Sequence, residues 1–73
     1  MKLTIVANKY LVSTVHLPAM HVGGDYETMV FPVDANGEVT DWSGLEQERY
    51  YDEAAADAGH AAMCSRYESE SAS

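Results

Sequence analysis

The sequence predicts an α+β fold: a small three- to four-stranded antiparallel sheet with one C-terminal helix packed on one face. Three observations lead there. The first third of the chain is dense in β-branched and aromatic residues. Glycine and proline breaks then divide the middle into short runs. An alanine-rich stretch begins near Glu53 and continues to about Tyr67.

Leu3 to Leu17 reads as one long strand, or as two short ones with an irregularity near Asn8-Lys9. Its odd positions Leu3, Ile5, Leu11, Val15 and Leu17 form the more apolar face, and Val6, Tyr10 and Val12 line the other, so partial cover on both faces is expected. Pro18 ends this segment because proline has no amide proton for a ladder. Residues 19–25, with Gly23-Gly24, read as a flexible connection. Tyr26 to Val33 is the next strand, with Pro32 marking a sheet edge or a strand end.

Asp34-Ala35-Asn36-Gly37 is a turn, since Asn-Gly suits positive φ. Glu38 to Trp42 is expected to return as a short strand, and Leu45 to Tyr50 as a weakly signalled one. Asp52 is a helix N-cap, and Glu53 favours the positive end of the helix dipole. Gly59 sits inside the helix at a cost of about 1 kcal/mol against alanine. The domain is expected to span 1–68, with 69–73 a frayed acidic and serine-rich tail.

One helix face carries Ala54, Ala55, Ala58, Ala61, Ala62 and Ser65; the other carries Ala56, His60, Met63, Cys64 and Tyr67. Burial yields roughly 25 cal/mol per Å², so the face with Met63 and Tyr67 is expected to be covered. The expected core is Leu11, Val15, Met29, Phe31, Ala56, Met63 and Tyr67. One sheet face and an edge strand would remain open, so a homodimer is expected, paired either through strands or through the apolar second face.

Seventy-three residues make one domain with little volume for a deep pocket. Twelve Asp and Glu face four Lys and Arg, a net charge of −8. Such a surface repels phosphate backbones and anionic lipid, so no direct nucleic acid and no membrane partner is expected. It suits a protein with a basic surface, and it suits simple solubility as well. The lone Cys64 forms no internal disulfide, and the run from Met1 to Val6 is too short for a signal peptide. Cytoplasmic residence follows as the expectation.

The stretches Tyr10-Leu11-Val12-Ser13-Thr14-Val15, Glu27-Thr28-Met29-Val30-Phe31, Glu48-Arg49-Tyr50 and Ala58-Gly59-His60 resemble a family of short uncharacterised bacteriophage proteins. The resemblance covers roughly residues 10–63. It implies solvent exposure at Ala54, Ala55 and Ala61, where the family carries glutamate. At Asp57 the family carries leucine, which implies a core that is one leucine side chain poorer here. The resemblance implies a phage-encoded accessory protein in the host cytoplasm and brings no assigned activity.

Two constellations could carry chemistry. His60 and Cys64 share a helix face and could touch one zinc ion, with His16 and His21 as further ligand types. A histidine on an apolar helix face more simply hydrogen-bonds within the core, so no metal or other cofactor is expected. Cys64 beside His60 also has the residue types of a thiolate nucleophile, but a mid-helix thiol lacks the helix N-terminus that lowers its pKa. No catalytic residues are therefore expected. Partner binding is assigned to Glu38, Asp41, Trp42, Glu46, Glu48, Tyr51 and Asp52, because carboxylates among exposed aromatics suit a basic groove. The resulting expectation is a non-enzymatic acidic protein acting by protein–protein binding. An inhibitor of a host nucleic-acid-binding or defence complex, of DNA-mimic and anti-CRISPR-like character, is its specific form. A zinc protein built on His60 and Cys64 and a structural phage component are the alternatives.

Overall fold

The computed structural model describes residues 1–17 and 24–72. Four strands, β1 (Lys2–Val6), β2 (Tyr10–His16), β3 (Tyr26–Pro32) and β4 (Glu46–Tyr50), precede one helix, α1 (Glu53–Ala72). The strands form an antiparallel sheet in the order β1-β2-β3-β4, and α1 contacts all four.

The long N-terminal strand is divided by a tight turn. Ala7 and Asn8 adopt positive φ of 53° and 55°, and the Lys9 amide donates to the Val6 carbonyl at 3.0 Å. Two consecutive positive φ values match the right-handed twist of the strands they join. Val6 then pairs with Tyr10. Pro32 is not at an edge: it pairs with Tyr10 and ends β3.

After β3 the Asp34 carboxylate accepts the amides of Asn36 and Glu38 at 2.9 and 3.0 Å, and Gly37 takes φ 80°. The expected strand over residues 38–42 does not form. Only the bridge between Val33 and Val39 is made, and the Asp41 carboxylate then captures the Ser43 amide and hydroxyl at 2.9 and 2.6 Å. Side chains that bond nearby backbone in this way withdraw it from a ladder. The Leu45 amide returns to the Val30 carbonyl at 2.7 Å, and β4 pairs with β3 despite its glutamates.

Asp52 caps α1, its carboxylate accepting the Ala55 amide at 2.7 Å. The helix runs to Ala72, through the 69–73 stretch expected to fray up to its last described residue. Ala56, His60, Met63 and Tyr67 are buried, as the size of the Met63 and Tyr67 side chains requires, and Ala54, Ala55 and Ala61 are exposed. Asp57 is exposed too and pairs with Lys2 at 3.1 Å, so its position faces solvent and not the core.

The helix covers the even face of the sheet. Val6, Val12, Val30, Met63 and Tyr67 form the core cluster, with the Tyr10 ring edge-on to Tyr67 at 4.8 Å. The expected core therefore needs correction. Leu11, Val15 and Met29 lie half-buried on the odd, uncovered face. Phe31 is buried on that same face, with Trp42 tilted over it at 5.2 Å. The even face looks the poorer choice in sequence because it carries Thr4, Thr14 and Thr28, polar groups that need a partner once enclosed.

Candidate partner-binding surface

His60 supplies that partner. Its Nε2 lies 2.8 Å from the Thr4 hydroxyl and its Nδ1 2.7 Å from the Thr14 hydroxyl, which in turn meets Thr28 at 2.6 Å. A neutral imidazole donates through one nitrogen and accepts through the other, so three hydroxyls and one ring satisfy each other beneath the helix. Burial holds the His60 pKa below its ordinary value; the Lys2 ammonium adds to this and Asp57 opposes it. Cys64 is half-buried, and its thiol is pushed up first by burial and then by Glu68, with a hydrogen bond to Thr4 working the other way.

These contacts bear on both chemical readings. Both ring nitrogens of His60 are engaged by threonines, which leaves neither for a metal or for Cys64. A thiol with a raised pKa is a weak nucleophile near neutral pH. Among the described residues no group of three or more His, Cys, Asp or Glu side chains is arranged to hold a metal ion. His16 is exposed and stacks on Tyr26 at 4.4 Å, and His21 lies outside the described residues. The His16–Tyr26 stack lines an open depression of about 430 Å³, with Lys2, Glu53 and Asp57 opposite.

The residues assigned to partner binding lie in and around β4 but on both faces of the sheet: Glu46 and Glu48 share the helix side with Val30 and Thr28, and Trp42 lies over Phe31 on the other. β4 is an edge strand, so Glu46, Glu48, Tyr51 and Asp52 follow one another down the β4 edge, and Asp41 and Trp42 lie in the loop that enters it. Glu38 sits further back, in the turn after β3. From Glu46 to Tyr50 the strand is about 13 Å long at about 3.3 Å per residue. Trp42 and Tyr51 are the exposed aromatics of this stretch of chain, at 71% and 79% exposure.

Not every carboxylate there is free to meet a partner. Glu46 is held by the Arg66 guanidinium and by the Tyr67 hydroxyl at 2.8 Å, and these bonds, Arg66 first, lower its pKa. Asp41 is lowered by its bonds from Ser43, and Asp52 caps the helix. Glu38 and Glu48 are exposed, and neither side chain is engaged in such a cap or ion pair.

Two features of the surface are not apparent from the sequence. Three of the four cations are paired internally: Lys2 with Asp57, Arg49 with Glu27 at 3.0 Å, and Arg66 with Glu46. Lys9, exposed, is the one cation outside such a pair, so nine carboxylates face a single unpaired cation. The second is the uncovered sheet face, where Leu3 and Ile5 remain 55% and 47% exposed. The odd-position alternation that marks this face is visible in the sequence, but there it points to the core. No helix is long and apolar enough to cross a membrane among the described residues.

The chain matches no protein-family model, no curated protein and no solved structure.

Proposed function

We propose that this protein acts without catalysis, by docking its acidic β4 margin on a basic protein surface. The observation that carries the reading is the net charge of −8, with three of the four cations already paired to carboxylates of the same chain. Glu38 and Glu48 are exposed, as are the rings of Trp42 and Tyr51 in the same stretch of chain. Aromatic anchors with complementary charge are the residue types that make selective protein contacts. The histidine and cysteine that could do chemistry are instead occupied with the core.

In its specific form the partner is a nucleic-acid-binding or defence complex of a host cell, whose basic groove the margin fills in place of nucleic acid. The likeness of the stretches 10–15, 27–31, 48–50 and 58–60 to phage proteins supports this form. The test is capture of partners from host lysate by the tagged protein, followed by measured affinity for the recovered complex. Affinity should fall as salt rises, because exposed charges are screened over about 10 Å at 0.1 M. Reversing Glu38 and Glu48 together to lysine should weaken binding by at least about tenfold, on the order of 1.4 kcal/mol. Unchanged affinity in that double variant would sink the electrostatic reading.

A further inference from the structure

We propose that the uncovered face of the sheet is a self-association surface that pairs with the same face of a second copy of this chain. The helix lies on the even face, so the odd face presents Leu3, Ile5, Leu11, Val15 and Met29 with none of the described residues over most of it. Among the described residues only one end is roofed, where Trp42 lies on Phe31 and the Gly44 backbone runs against Met29 and Phe31.

The distribution of charge names the occupant. A chain of charge −8 can bring a second copy into contact only where the local charge is near zero. On this face the strands offer one carboxylate, Glu27, and one cation, Arg49, already joined at 3.0 Å, with Gln47 also bonded to Glu27. A basic partner would find no free acid here. A neutral apolar surface fits, and the neutral apolar surface the molecule displays is this face itself. In a two-fold contact each patch meets its own copy, and a Glu–Arg pair offers both signs to its image. Two such sheets stack about 10 Å apart with their side chains interleaved. Glu46, Glu48 and the outer surface of α1 then stay outside the contact, and Trp42 borders it at the roofed end.

The patch is small. Four strands about 4.8 Å apart and about 18 Å long give roughly 350 Å² in projection per copy. A stable complex buries about 800 Å² per partner, so the dimer is a reversible one. Sedimentation equilibrium from micromolar to millimolar protein should show a monomer–dimer equilibrium that strengthens with sodium chloride, as repulsion between the copies is screened.

Two variants locate the contact. Ser13 sits between Leu3 and Met29 in the register of the open face, on an inner strand. Ser13→Glu and Leu3→Glu each place a charge on the patch at sites that are not fully enclosed, and each should shift dimerisation at least tenfold toward monomer. Circular dichroism and melting temperature identify any variant that fails to fold, and the salt response of the wild-type chain is a reading that needs no variant. A wild-type monomer up to millimolar concentration overturns the proposal. So does a dimer that survives Ser13→Glu but not Leu3→Glu, since that contact would run edge to edge through β1. A dimer weakened by salt would place the contact on charged surface and overturn it as well. None of these outcomes depends on whether the acidic margin has a partner.

Discussion

His60 ties the helix to the sheet through hydroxyl groups, and this makes the fold responsive to protons. Its ring is 4% exposed and touches Thr4 and Thr14 through its two nitrogens. Burial holds its folded pKa below the unfolded value, which is about 6.5. Above about pH 6.5 the ring is neutral in both states, so the stability of the neutral network is fully present. As pH falls below that value the unfolded chain takes up a proton that the folded ring refuses, and stability declines. The decline approaches about 1.4 kcal/mol per pH unit and stops once the folded ring also protonates. Urea denaturation between about pH 6.5 and pH 5 isolates this window, because most carboxylates stay ionised there. The wild-type chain should lose stability across it more steeply than His60→Gln, which cannot titrate. Parallel pH profiles for the two proteins would show that His60 is not held neutral by the fold.

At the scale of elements, the start of β3 is pressed against the end of β4. Gly24 has φ 120°, and a Cβ there would lie 2.2 Å from the Tyr50 carbonyl oxygen. Backbone cannot move aside as a side-chain tip can, so Gly24→Ala should destabilise by at least about 2 kcal/mol, read as a lower urea midpoint. An unchanged midpoint would mean that the strand ends separate freely. In sequence Gly23-Gly24 reads only as a flexible connection, because a close approach between elements leaves no local trace. What is legible is local: the turn from Asp34 to Gly37, the Asp52 cap, the end of β3 at Pro32 and the buried stripe of α1. The covered sheet face is not legible. Its choice depends on His60 meeting threonines 46 and 56 residues away. Seen alone, Thr4, Thr14 and Thr28 mark a solvent face. The same limit applies to the binding margin: the exposure of Glu38 and Glu48 can be read from residue type, whereas the tie of Glu46 to Arg66 requires the helix to be placed.

At the scale of the whole molecule, charge opposes compactness. A body of 36 × 21 × 16 Å carries a net −8, so its carboxylates stand within a few Debye lengths of one another. Three ion pairs work in the other direction. Those of Lys2 and Arg66 are half-exposed on the cation side, and pairs of that kind contribute only about 0–1 kcal/mol each. Sodium chloride weakens both effects, so its net influence reports which is larger. The uncompensated acids outnumber the pairs, and self-repulsion between like charges should be the greater term. Melting temperature, measured at micromolar protein so that self-association does not contribute, should therefore rise as salt increases from about 10 mM to about 500 mM. A gain of about 1 kcal/mol corresponds to about 4–8 °C in a domain this small. The same change should shrink in a variant with Glu38 and Glu48 replaced by glutamine, because two of the repelling charges are gone and no ion pair is broken. If melting temperature falls with salt instead, the bridges of Lys2, Arg49 and Arg66 outweigh the repulsion, and the acidic surplus is no burden on the fold.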